Sequence, residues 1–151
     1  MIKMLEETFD QKKRRLFGKQ SLQSYINTIE KLTTDSERCI LSIVETDKIL
    51  EKVSTLKEVF KTVLPFEDKT GLKNIVNEKF KSEDSIYLLT SLSRDCGGIV
   101  INSIANFNFN FNFDDDSGGI FSLVSNDLKE RILFDFYEEN GKKFIEIEYF
   151  Q

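Results

Sequence analysis

Histidine and tryptophan are both absent from this chain; proline occurs once, at Pro65, and cysteine twice, at Cys39 and Cys96. Without imidazole, the usual general base near neutral pH is missing, which excludes Ser-His-Asp and Cys-His machinery and histidine-bearing zinc sites. The two cysteines lie far apart, make no metal-ligand spacing, and fit a reducing compartment better than a disulfide scaffold. No run of about 18 apolar residues offers a membrane span, and the opening MIKMLEETFDQKKRR lacks the apolar stretch of a signal peptide. A cytoplasmic protein without membrane contact is therefore expected. Gly97-Gly98 and Gly118-Gly119 sit in no phosphate-binding loop context. Catalysis by carboxylates alone needs a substrate groove that nothing in the sequence signals, so the expectation is no enzyme and no cofactor.

What is present is an ordinary globular balance. The 151 residues suffice for one domain with a real core, 40% being hydrophobic and 31% charged. Fourteen phenylalanines are available to fill that core. The net charge of −5 argues against direct nucleic-acid binding, which needs a basic face to displace counterions from phosphates, and favours basic partners. Residues 1–20 carry six basic and three acidic groups, hence +3, whereas residues 106–151 carry four basic and ten acidic groups, hence −6.

Along the first two-thirds, helical spacing dominates. Ile2, Leu5, Phe9 and Leu16 share a stripe with the basic run Lys12–Arg15 outside it; Gly18 reads as a helix stop, and Ser21 as the cap of a helix bearing Leu22, Tyr25, Ile26, Ile29 and Leu32. Asp35 opens a segment in which Cys39, Ile40, Ile43 and Val44 share a face. Ile49, Val53, Leu56, Phe60 and Val63 continue in helical register until Pro65 halts them. A short helix carries Leu72, Ile75, Val76 and Phe80. Residues 86–92 suit either a helix or a buried strand, which periodicity does not decide.

After Gly98 the period becomes two. Ile99–Ile101 leads into a strict Asn/Phe alternation over residues 106–113, expected to be a strand with its four phenylalanines on one face and both edges paired. Residues 120–125 form a further strand, and 132–138 and 144–150 flank Asn140-Gly141, the strongest short hairpin signal. The expected fold is α+β: a single domain over 1–151, mainly helical in 1–95, with the helices packed on an antiparallel meander of about four strands in 99–151.

The final hairpin is the most informative piece. A two-residue turn fixes the register, so Phe136, Phe134 and Ile132 oppose Ile145, Ile147 and Tyr149 on an apolar face. On the other face Tyr137 opposes Phe144, Asp135 opposes Glu146, and Leu133 opposes Glu148. Like charges directly opposite one another are unfavourable in a sheet. One reading makes these acids, with the two rings, a docking surface for a basic protein. The other makes them a solvated face relieved by Lys129, Arg131 or Lys143. Three carboxylates also suit Mg²⁺ or Ca²⁺, although the spacing matches no metal motif.

The run Asp114, Asp115 and Asp116 is a second candidate for partner or cation binding, beside its reading as a charged turn; it lacks calcium-loop spacing. The four asparagines of the alternation are either a polar recognition ladder or ordinary outward residues. Lys12–Arg15 is best read as a solvated helix face.

The stretch GGIFSLVSNDLKERILFDFYEENGKKFIEIEYF, residues 118–150 and about a fifth of the chain, resembles bacterial immunity proteins of the kind paired with contact-dependent growth inhibition and other polymorphic toxins. The chain shares their character: small, acidic and without catalytic residues. The resemblance implies a cognate toxin domain, often a nuclease with a basic cleft, neutralised by occlusion of its active site or substrate-binding surface. Asp135, Tyr137, Phe144, Glu146, Glu148 and Asp114–Asp116 are the candidate partner-binding residues. The alternatives are a carboxylate-dependent metal-binding enzyme and an acidic phage or mobile-element accessory protein that mimics nucleic acid.

Overall fold

In a computed structural model, residues 6–34, 38–111 and 120–151 are described. The candidate acids Asp114, Asp115 and Asp116 lie outside them, as do Ile2, Leu5 and Asp35. The elements run α1 (Phe9–Leu32), β1 (Cys39–Ile40), α2 (Ile43–Val53), β2 (Glu58–Pro65), α3 (Lys69–Lys79), β3 (Ile86–Thr90), α4 (Ser93–Cys96), β4 (Ile99–Ile101), β5 (Ile120–Ser125), β6 (Arg131–Glu139) and β7 (Lys142–Phe150). The strands form one seven-stranded sheet in the order β1-β4-β3-β5-β6-β7-β2, with every pairing antiparallel. The fold is α+β. Its C-terminal meander is β5-β6-β7, extended on both sides by strands from earlier in the chain.

One face of the sheet carries the main core. Tyr25, Ile29 and Leu32 of α1 and Leu72 and Val76 of α3 pack there against inward residues such as Leu88, Ile101, Leu123, Phe134 and Ile147. On the opposite face α2 covers only part of the sheet: Ile49 and Val53 pack on Leu89 of β3 and Val124 of β5. The face of β6, β7 and β2 lies beyond that cluster.

Helix α1 spans, as one element from Phe9 to Leu32, what the sequence divides into two helices. Thr8 and Gln11 form a capping box, each side chain taking up the other residue's backbone N–H. Gly18 does not stop the helix and Ser21 does not start one. A Cβ at Gly18 would sit 2.1 Å from the carbonyl oxygen of Asp95, so the glycine permits close approach of α1 to α4. The expected stripe is also reversed in the first turns. Phe9 and Leu16 are exposed, while Arg14 of the basic run points inward, its guanidinium on Asp47 of α2 and the carbonyl of Arg94. Tyr25 anchors the centre of the helix, its hydroxyl bonded to Ser93 Oγ at 2.9 Å and to the carbonyl of Gly97 at 2.5 Å.

Three further expectations are corrected. Cys39 and Ile40 form strand β1, and the helix after them begins at Ile43 behind the cap Ser42. Leu56, Phe60 and Val63 do not continue a helix: Leu56 lies outside both neighbouring elements, and residues 58–65 are an edge strand that Pro65 closes. Phe60 and Leu64 pack on the core while Lys61 and Val63 face outward, the period of two that a strand imposes. The expected Asn/Phe strand is a short 3₁₀ turn at Ile104–Asn106 followed by irregular chain to Phe111. It lies against the C-terminus of α1, where the Asn108 N–H donates to the carbonyl of Leu32 and its side-chain amide donates to that of Lys31. Phe107 and Phe111 still go inward, buried among Phe121 and Phe136, with Phe109 half-buried beside Phe107, while Phe113 lies outside the described residues. The ambiguous segment resolves as β3, and its central position explains its continuous apolar run.

Candidate protein interface

The β6–β7 hairpin turns on Asn140 and Gly141, both at positive φ (54° and 76°), as a two-residue Asn-Gly loop requires. The register follows: Glu139 pairs with Lys142, Tyr137 with Phe144, Asp135 with Glu146, and Leu133 with Glu148. These five candidate residues, Asp135, Tyr137, Phe144, Glu146 and Glu148, therefore share the face away from the main core, and all are half-buried. The Tyr137 and Phe144 rings stack at 5.4 Å between centroids and 27° between planes.

Strand β2 completes this surface, and the sequence reading had no access to it. Pairing with β7 sets Val63 beside Glu146 and Lys61 beside Glu148, while β5 sets Ile120 beside Asp135. One row across the sheet thus reads Ile120, Asp135, Glu146, Val63, and the next reads Leu133, Glu148, Lys61. Ile120 and Val63 are each 45% exposed. The Lys61 ammonium lies 2.5 Å from Glu146 Oε1 and 3.5 Å from Glu148 Oε1. The cross-strand repulsion between Asp135 and Glu146 is thereby offset by a cation from the neighbouring strand, one that the sequence did not point to.

Arg131 supplies a second cation at the edge of the same face. Burial pulls its guanidinium below its usual pKa, partly opposed by the charge of Glu148, and its Nε has no hydrogen-bond partner among the described residues. The guanidinium also lies 5.9 Å from the Phe150 ring centroid. Three carboxylates facing two cations leave a surface only weakly acidic. Aromatic and aliphatic side chains, not a concentration of charge, give this face its character.

No protein-family model, curated protein or solved structure matches this chain. Among the described residues no group of three or more Asp, Glu or Cys side chains converges to hold a metal ion. Among them, too, no helix is long and apolar enough to cross a membrane.

Proposed function

We propose that this chain is an immunity protein: a cytoplasmic, non-enzymatic inhibitor that binds a cognate toxin domain through the open face of β2, β6 and β7. The observation that carries the reading is the uncovered half of the sheet. α2 packs on the side of β3 and β5, which leaves the stacked Tyr137 and Phe144, flanked by Ile120, Leu133 and Val63, without a covering element among the described residues. Aromatic anchors within a polar rim are the anatomy of an interface in which a few residues carry most of the binding energy. Asp135, Glu146 and Glu148 supply the rim and select a basic partner, with Lys61 tempering the charge.

A toxin nuclease, whose cleft must be basic to hold nucleic acid, fits such a rim, and occlusion of the cleft is the mode of neutralisation. Nucleic-acid mimicry without a dedicated partner is less well supported, because Lys61 and Arg131 break up the row of negative charge.

Co-expression with the product of the adjacent gene tests the reading. Recovery of a stable complex, together with protection of the host from that product, is the expected result. A neighbour that is toxic yet neither binds this chain nor is neutralised by it removes the proposal.

A further inference from the structure

On the main-core side of the sheet, distant from the open face, a groove of about 920 Å³ runs between α3 and the irregular segment after the 3₁₀ turn. Its size lies at the upper end of the range for small-molecule sites. Lys69, Lys73 and Lys81 line it, against one carboxylate, Glu83. That local excess of positive charge stands out on a chain of net charge −5. None of the three lysines makes an ion pair among the described residues, whereas Lys61 across the molecule serves two carboxylates.

Lys69 is held in position. Its ammonium lies 3.7 Å from the centroid of the Phe66 ring and 3.8 Å from that of Phe111, and it donates to the Phe111 carbonyl at 3.3 Å. Two ring faces and a carbonyl orient this cation without neutralising it, so its charge stays available to an anion. Phe109, half-buried and packed edge to face on the buried Phe107 at 5.1 Å with planes at 81°, supplies an aromatic wall. Asn77 on α3 and Asn110, two residues with side-chain amides, are also part of the groove lining. Such amides match the donor and acceptor edge of a purine.

We propose that this groove binds a purine nucleoside di- or triphosphate, with the phosphates on Lys69, Lys73 and Lys81 and the base against Phe109. The ligand requires both halves of the site. Phosphate alone leaves the ring unused, and a neutral nucleoside leaves three cations unpaired. The site lies on the main-core side of the sheet, apart from the open face.

Calorimetric titration of the full chain with ATP, adenosine and inorganic pyrophosphate tests the assignment. ATP is expected to bind saturably with a Kd below about 1 mM, and adenosine and pyrophosphate each roughly tenfold or more weaker. The double substitution Lys73→Gln, Lys81→Gln, at two exposed positions, is expected to weaken ATP by roughly tenfold with unchanged thermal unfolding. The absence of saturable ATP binding, ATP affinity unaffected by the double substitution, or pyrophosphate binding as tightly as ATP would each overturn it.

Discussion

Lys61 on edge strand β2 places its ammonium 2.5 Å from Glu146 on β7, beside the cross-strand pair that Glu146 makes with Asp135. This contact sets the charge balance of the whole open face. Two carboxylates facing each other on adjacent strands repel, and a cation from the third strand offsets that repulsion.

Replacing Lys61 with Met should therefore have two separable effects. Its side chain is about half exposed, so the stability loss is small, about 0.2–1 kcal/mol, and diminishes as salt screens the remaining acids. The more acidic face should also capture a basic partner faster, with a steeper dependence of the on-rate on ionic strength. Urea unfolding at low and high salt checks the first effect and stopped-flow association the second. A slower association on removing this cation would show that Lys61 itself contacts the partner.

Gly18→Ala separates close packing from helix termination. In an exposed helix interior, alanine in place of glycine stabilises by about 1 kcal/mol. At Gly18 the added Cβ meets the Asp95 carbonyl oxygen at 2.1 Å and its carbon at 2.7 Å, backbone atoms that α4 moves only by shifting away from α1. The expected change is a loss of about 1–3 kcal/mol, the range for overpacking. Equilibrium denaturation decides by sign: a gain would mean that the two helices do not approach this closely.

Stability should depend on pH through Lys69. Burial lowers its pKa from the ordinary 10.5 to about 8 in the folded chain, while the rings of Phe66 and Phe111 act the other way by favouring the cation. A base with a lowered folded-state pKa binds fewer protons folded than unfolded between those two values. Its contribution therefore rises as pH climbs from about 8 to 10.5 and is unfavourable below that window. Comparing the chain with its Lys69→Met variant across pH 7 to 11 isolates this contribution. The native chain should gain stability relative to the variant over that interval, and a flat difference would place the Lys69 ammonium in ordinary solvent.

The hairpin was legible in the sequence to the last pair, because Asn140-Gly141 fixes a register that alternating residues then carry to Phe150. The short helix of Leu72 and Val76 was legible for the same reason: its spacing has one solution. β2 was not. Leu56, Phe60 and Val63 fall at helical spacing, and the apolar residues of 58–65 come in adjacent pairs, Val59-Phe60 and Val63-Leu64, without the alternation that marks a strand; only pairing with β7, some eighty residues away, makes it one. That one miss concealed Lys61, which pairs with Glu146 and Glu148; of the cations the sequence did offer to relieve these acids, Arg131 lies at the edge of the same face. The Asn/Phe run erred in the opposite way. Phe107 and Phe111 were rightly read as inward, but alternation implies a ladder only where a neighbouring strand is free, and residues 106–111 lie instead against the end of α1.

The central claim, that the open sheet face is where a partner protein docks, is tested most directly by replacing Tyr137 and Phe144 together with Ala. The two rings stack on a half-buried face, so the variant loses the about 0.5–1.5 kcal/mol of the aromatic pair together with the partial burial of each ring. Affinity for the protein that co-purifies with this chain should fall at least about thirtyfold, as expected when an aromatic hot spot is lost. Affinity retained within about threefold in a variant that still unfolds cooperatively would place the interface elsewhere and contradict the account.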